Sequence, residues 1–269
     1  MINMRNSFKL YQPLVMRAAN YQEFIPQGEF SNSIALFYQF QMPSSHHQLI
    51  AVPDGVVDVV FRCDSSKPYA KVIGSVLAGR PLVFTGGYEH FGVRFFPGQA
   101  GVFTDELGES FIDQEVSLAD VMHRGGGFVE QVVSRPGFYE RVQMFLSGRF
   151  SMQEKRREMP EWGKYLMQRV NEQLGGLSIK DMALETSYSP QHITRTFKSY
   201  LGVSPKYFCR VVRFQNAIEL IHKQPFQPVD DIIFGLGYFD QAHFIKEFKE
   251  FCMLTPWQFV QRNFGKAAN

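Results

Sequence analysis

Cysteine, tryptophan and long apolar runs are all scarce in this 269-residue chain, which holds 3 Cys and 2 Trp. Cys63, Cys209 and Cys252 lie far apart, which excludes a dense disulfide framework or a zinc knuckle and fits buried thiols in a reducing compartment. No stretch reaches the ~18 apolar residues that a membrane span requires. The opening "MINMRNSFKLYQPLVMRAANYQEF" also lacks the apolar core of a signal peptide. The expectation is a soluble cytoplasmic protein with no membrane partner. A large charge of one sign is missing too, the net value being +2. Its distribution says more: residues 1–159 carry a net −1 and residues 160–269 a net +3, so an anionic partner would meet the second half.

Catalytic signatures are equally thin. There is no Gly-x-Ser-x-Gly elbow, and "GSVLAGRP" lacks the Lys-Ser/Thr of a phosphate-cradling loop. Adjacent His46 and His47 would point to opposite faces of a strand, and with His90 they do not form a closely spaced His-x-His with a downstream carboxylate. No catalytic residue, metal or cofactor is assigned, and the chain is not expected to be an enzyme. A metal-dependent cupin-like enzyme, or a protein-interaction module fused to a helical domain, stands as the alternative.

What the chain has in quantity is hydrophobic and aromatic residues, at 45% hydrophobic with 27 Phe and 11 Tyr, enough for real cores. Between Ile34 and Pro97 the runs "IALFYQFQM", "QLIAV", "VVDVVFR", "AKVIGSVL", "PLVF" and "HFGVRFF" alternate with turn-rich breaks. Such spacing predicts an antiparallel barrel or sandwich. Ser117 then opens "LADVMHR", followed by "FVEQVVS" and "PGFYERVQMFLSGRF", which read as helices packed on the barrel. The fold class is α+β: an N-terminal antiparallel β-barrel, cupin-like, over 1–150, a charged linker over 151–160, and an all-α domain over 161–264.

Alternation in "YEHFGVRFF" sends Phe91, Val93 and Phe95 to one strand face, the core, and Tyr88, His90 and Arg94 to the other. Asp58, Tyr88, His90 and Arg94 are the candidate ligand-binding set, with Arg94 able to hold a carboxylate or phosphate bidentately. A structural ion pair with Asp58, or simple exposure, is the favoured alternative reading of Arg94.

The second half repeats itself. "SPQHITRTFKSYLGVSP" and "DQAHFIKEFKEFCMLTP" share a Phe-Lys pair and a Ser/Thr-Pro ending. Asp181-Met182 precedes the first as Asp231-Ile232 precedes the second, which gives two complete helix-turn-helix units. The segment between them, opened by Ser204-Pro205 and closed by Pro225, places Tyr207, Val211, Phe214, Ile218 and Ile221 at helical spacing and reads as one long connecting helix. On the first repeated helix Ile193, Phe197, Tyr200 and Leu201 share a sector opposite Gln191, Thr194, Arg195 and Lys198. On the second, Phe244, Phe248 and Phe251 oppose Ala242, Ile245, Lys246 and Lys249, with Gln241 in the first turn. An outward Ile245 fits contact with a thymine methyl or an apolar residue placed there by chance.

These residues resemble the DNA-binding domain of AraC/XylS-family transcription regulators. The resemblance rests on Ala183, Ser189, Phe197-Lys198, Gly202, Ser204-Pro205, Arg213 and Ala217, then Ile232, Gly237-Tyr238, Asp240, Phe244, Phe248-Lys249 and Thr255-Pro256. Ser187 and Ile233 depart from it, standing where the family usually has glycine and alanine. Residue by residue, the resemblance implies DNA contacts from Gln191, Thr194 and Arg195 and from Gln241, Ala242, Ile245 and Lys246; Lys198 and Lys249 are expected to meet phosphate or solvent. "VPDGVVDVVF" and "GVRFFPGQAG" resemble a barrel domain of unassigned ligand that precedes this DNA-binding domain. The implied arrangement is a bacterial one-component regulator: promoter DNA and RNA polymerase as partners, a small-molecule effector or homodimerisation for the barrel.

Overall fold

The computed structural model describes residues 18–44, 48–104, 106, 108–122, 127–147, 158–225 and 229–265, together with Leu10 and Gln12. His46, His47 and residues 151–157 of the expected linker lie outside them. The six expected strand runs are β2 (Ile34–Gln41), β3 (Gln48–Ala51), β4 (Val57–Arg62), β5 (Tyr69–Ile73), β6 (Arg80–Val83) and β7 (Glu89–Phe95). Two more strands, β1 (Ala19–Phe24) and β8 (Glu115–Ser117), close the edges of an antiparallel sheet of order β1-β2-β7-β4-β5-β8, and β3 pairs with β6 in a separate ribbon.

Strand periodicity decides what each sheet face holds. Phe37, Val93, Val59 and Val72 stand in one rung across four strands, and their face is covered by α2 (Phe128–Val133) and α3 (Phe138–Leu146), which follow the short α1 (Leu118–Val121). The opposite face is equally buried. There Tyr38, Phe40, Val60 and Ile73 meet Leu82 and Phe84 from the β6 side, which makes the arrangement barrel-like. Tyr38 is the register partner of Gly92, and its ring lies directly over that glycine, where any Cβ would overlap it. Tyr38 therefore fills the space over that glycine.

Beyond Met159, buried against the helical domain, come α4 (Glu161–Glu172), α5 (Ile179–Thr186), α6 (Pro190–Leu201), α7 (Pro205–Lys223), α8 (Val229–Leu236), α9 (Gln241–Cys252) and α10 (Pro256–Phe264). The two helix-turn-helix units are α5–α6 and α8–α9, and α7 is the long connector. Sequence dictates the starts: Ser178, Ser189, Ser204, Asp240 and Thr255 each accept a backbone N–H three residues on, and Pro190, Pro205 and Pro256 fill first-turn positions. Each cap is worth ~1 kcal/mol. Ser187 takes the left-handed turn position at φ 60° that Gly237 takes at φ 68° in the second unit.

Candidate nucleic-acid interface

The inner face of the second helix in each unit is fixed by the core. Ile193, Phe197 and Leu201 of α6 and Phe244, Phe248 and Phe251 of α9 are all buried. What remains faces solvent. Gln191, Arg195 and Lys198 are exposed on α6, with Thr194 half-buried; Gln241, Ala242, Lys246 and Lys249 are exposed on α9. Ile245 is half-buried and packs on the second unit's core, so its apolar side chain is accounted for without a thymine methyl. Among the described residues, Lys198, Lys246 and Lys249 have no carboxylate partner.

The sequence shows Tyr and His at matching repeat positions, with backbone contact or plain exposure expected of the histidines, but not the contacts they make. His192 stacks on Tyr188 at 4.9 Å and Tyr188 meets Trp162 at 4.5 Å, while the Arg195 guanidinium lies 3.3 Å from His192 Nδ1. The aromatic stack thereby steers Arg195. In the second unit the equivalent pair, Tyr238 and His243, meets edge-on at 5.5 Å. The recurrence of Tyr and His at matching repeat positions was the available signal. Arg210 of α7 donates to Glu247 at 2.7 Å and to Glu250 at 2.9 Å, and its guanidinium lies 4.8 Å from the Phe251 ring centre. Glu247 is only 2% exposed, so this pair ties α9 to the connector from inside.

The four candidate ligand residues of the barrel do not form one site. Arg94 donates from Nε and Nη2 to the two Asp58 oxygens at 2.9 and 2.8 Å, a buried bidentate pair, with Asp54 3.9 Å away. Gln12 donates to Asp54 at 2.6 Å. Burial raises the Asp54 carboxyl above its ordinary range, against the pull of Arg94. The cavity beside them is about 30 Å³, the room of one water. His90 sits at the other end of the barrel, beyond Tyr38. Its Nε2 lies 3.0 Å from the Thr85 carbonyl, and burial pulls its pKa down to about 4. It borders a wider opening of about 250 Å³ with Arg62, Tyr69, Lys71 and Glu115. Tyr88 is partly exposed, 5.5 Å from the Arg62 guanidinium. Among the described residues no group of three His, Cys, Asp or Glu is placed to hold a metal, and no helix is long and apolar enough to cross a membrane.

A family profile described as a helix-turn-helix domain matches residues 182–262, the span of both units and their connector. The helical half of the chain thus carries a helix-turn-helix domain. A second profile, described as a domain of unknown function, DUF6597, matches residues 22–117 in the barrel. Over 81 residues the chain is 37% identical to an HTH-type transcriptional regulator of Haemophilus influenzae, covering 30% of this chain and 27% of that one. Over 82 residues it is 30% identical to the HTH-type transcriptional regulator MtrA of Neisseria gonorrhoeae, with the same two coverages of 30% and 27%. The chain thus matches about a quarter of the length of these curated relatives. Among solved structures, ToxT from Vibrio cholerae O395 aligns over 91% of this chain and 98% of its own, at 11% identity and a TM-score of 0.42.

Proposed function

We propose that this chain binds promoter DNA sequence-specifically and regulates transcription, with α6 and α9 entering successive major grooves on one face of the duplex. One observation carries the reading: two helices in matching register, each with its apolar side in a core, expose Gln191 and Arg195 in one copy and Gln241 and Lys246 in the other. Grooves on one face lie ~34 Å apart, a span that two readers on one chain address without a dimer. Arg195 suits guanine and the glutamines suit adenine, each good contact discriminating by ~1–3 kcal/mol. Lys198 and Lys249 neutralise phosphate and position the domain. The differing outward residues mean that the two grooves are read for different bases.

The barrel acts as the accessory domain, through a small-molecule effector or self-association, and RNA polymerase is the further partner; the site of action is the cytoplasm. An effector enters at the opening beside His90, Arg62 and Lys71, since the Arg94 end is closed by its own ion pair. No chemical step is assigned to the chain. The test is selection from a random duplex pool with the purified full chain, followed by footprinting. Two protected patches about one helical turn apart are expected, with a negative slope of log affinity against log salt. Arg195→Ala and Lys246→Ala each weaken the selected duplex by about 5- to 100-fold and bulk DNA far less. Unchanged specificity in both variants refutes the assignment.

A further inference from the structure

We infer that the barrel domain is a brace that sets the spacing between the two DNA readers, an inference that rests on reading α6 and α9 as those readers. The last four carbonyls of a helix have no partner inside the helix. In this chain the barrel domain reaches them in both readers. At the end of α9, the Gly79 N–H donates to the Glu250 carbonyl at 3.0 Å. A Cβ at Gly79 would stand 2.7 Å from the Phe251 carbonyl oxygen, so only glycine allows this approach. At the end of α6, Gly108 lies so close to the Tyr200 carbonyl that a Cβ would overlap it, and Gly202 is pressed equally closely by Ile112.

The two gripping loops are one body. Asp113, just after the α6-gripping turn, accepts from the Leu77 N–H at 2.9 Å and donates its own N–H to the Ser75 carbonyl at 3.0 Å, which ties it to the α9-gripping loop. Between the two grips the connector is held as well. The Tyr207 hydroxyl donates to the Leu77 carbonyl, and Gln215 Nε2 donates to the Pro53 carbonyl at 2.7 Å. Ala35 and Phe96 of the barrel domain lie in the first unit's core and Val52 in the second's. Three points on one platform thus fix α6, α7 and α9 by the side away from Gln191 and Gln241, whose helix starts stay exposed. A single 19-residue connector allows bending between the units, whereas triangulation does not.

The experiment takes a duplex selected by the full chain from a random pool and alters the separation of its two half-sites by one and two base pairs. The wild-type chain loses about tenfold in affinity at the first step, the scale of one lost base contact. Gly79→Ala, which pushes the loop off α9, and Tyr207→Phe, which removes one hydroxyl and no packing, both flatten this profile and leave the base preferences within each half-site unchanged. Thermal unfolding of each variant establishes that it is folded. Spacing profiles that match the wild type in both folded variants overturn the brace while the DNA reading stands. Failure of the full chain to enrich any duplex overturns the DNA reading, and the brace with it.

Discussion

His90 shows how one side chain makes stability depend on pH. It is enclosed by Phe40 and Phe84, and burial holds its pKa at about 4 where an unfolded histidine titrates near 6.5. Because the folded value is depressed, the unfolded chain binds the extra proton first. Stability is full above about pH 6.5 and falls as the pH drops toward 4, by up to about 3 kcal/mol. Urea midpoints between pH 7.5 and 4.5 measure this slope, and His90→Gln, which keeps a donor for the Thr85 carbonyl, removes most of it. At the same scale the sequence left Arg94 either paired with Asp58 or exposed, and the structure has it paired and buried. That Asp54 and Gln12 join them was not legible, because the contact depends on how distant segments fold back.

At the level of elements, the helical repeat was legible because its determinants are local: Ser, Asp or Thr caps, first-turn prolines and a 3.6-residue apolar period. β1 escaped notice because "ANYQEF" buries little and shows no alternation. The joint between α7 and α9 was invisible for a different reason, since Arg210 and Glu247 are 37 positions apart and each reads alone as a surface charge. Arg210→Met leaves the Glu247 carboxylate buried without its cation. Because Arg210 is itself partly exposed, the expected loss is about 2 kcal/mol, below that of a fully buried pair. Hydrogen exchange locates it: amides of α9 should exchange faster while those of α6 keep their protection. Equal acceleration in both helices would mean that the pair stabilises the whole chain rather than this joint.

Across the whole molecule, the sequence divides into a barrel and a helical half, yet the surfaces that join them carry little sequence signal, because scattered side chains there meet glycines and backbone carbonyls. Removing the barrel therefore has two separable effects. Residues 161–264 alone should recognise the same half-sites, because Gln191, Arg195, Gln241 and Lys246 are unchanged. The fragment also uncovers the Phe208 edge beside Gly55 and the Tyr207 hydroxyl, so its melting temperature should fall below that of the full chain; calorimetry on both provides the comparison. A melting temperature equal to that of the full chain would show that the junction contributes nothing to stability. The close approach of Ile112 to Gly202 has one more consequence. The barrel is keyed to the helical half: grafted onto another pair of helix-turn-helix units, it can seat only where the residue just after the first unit's second helix is also a glycine, so a single Cβ at that position decides whether the two halves fit.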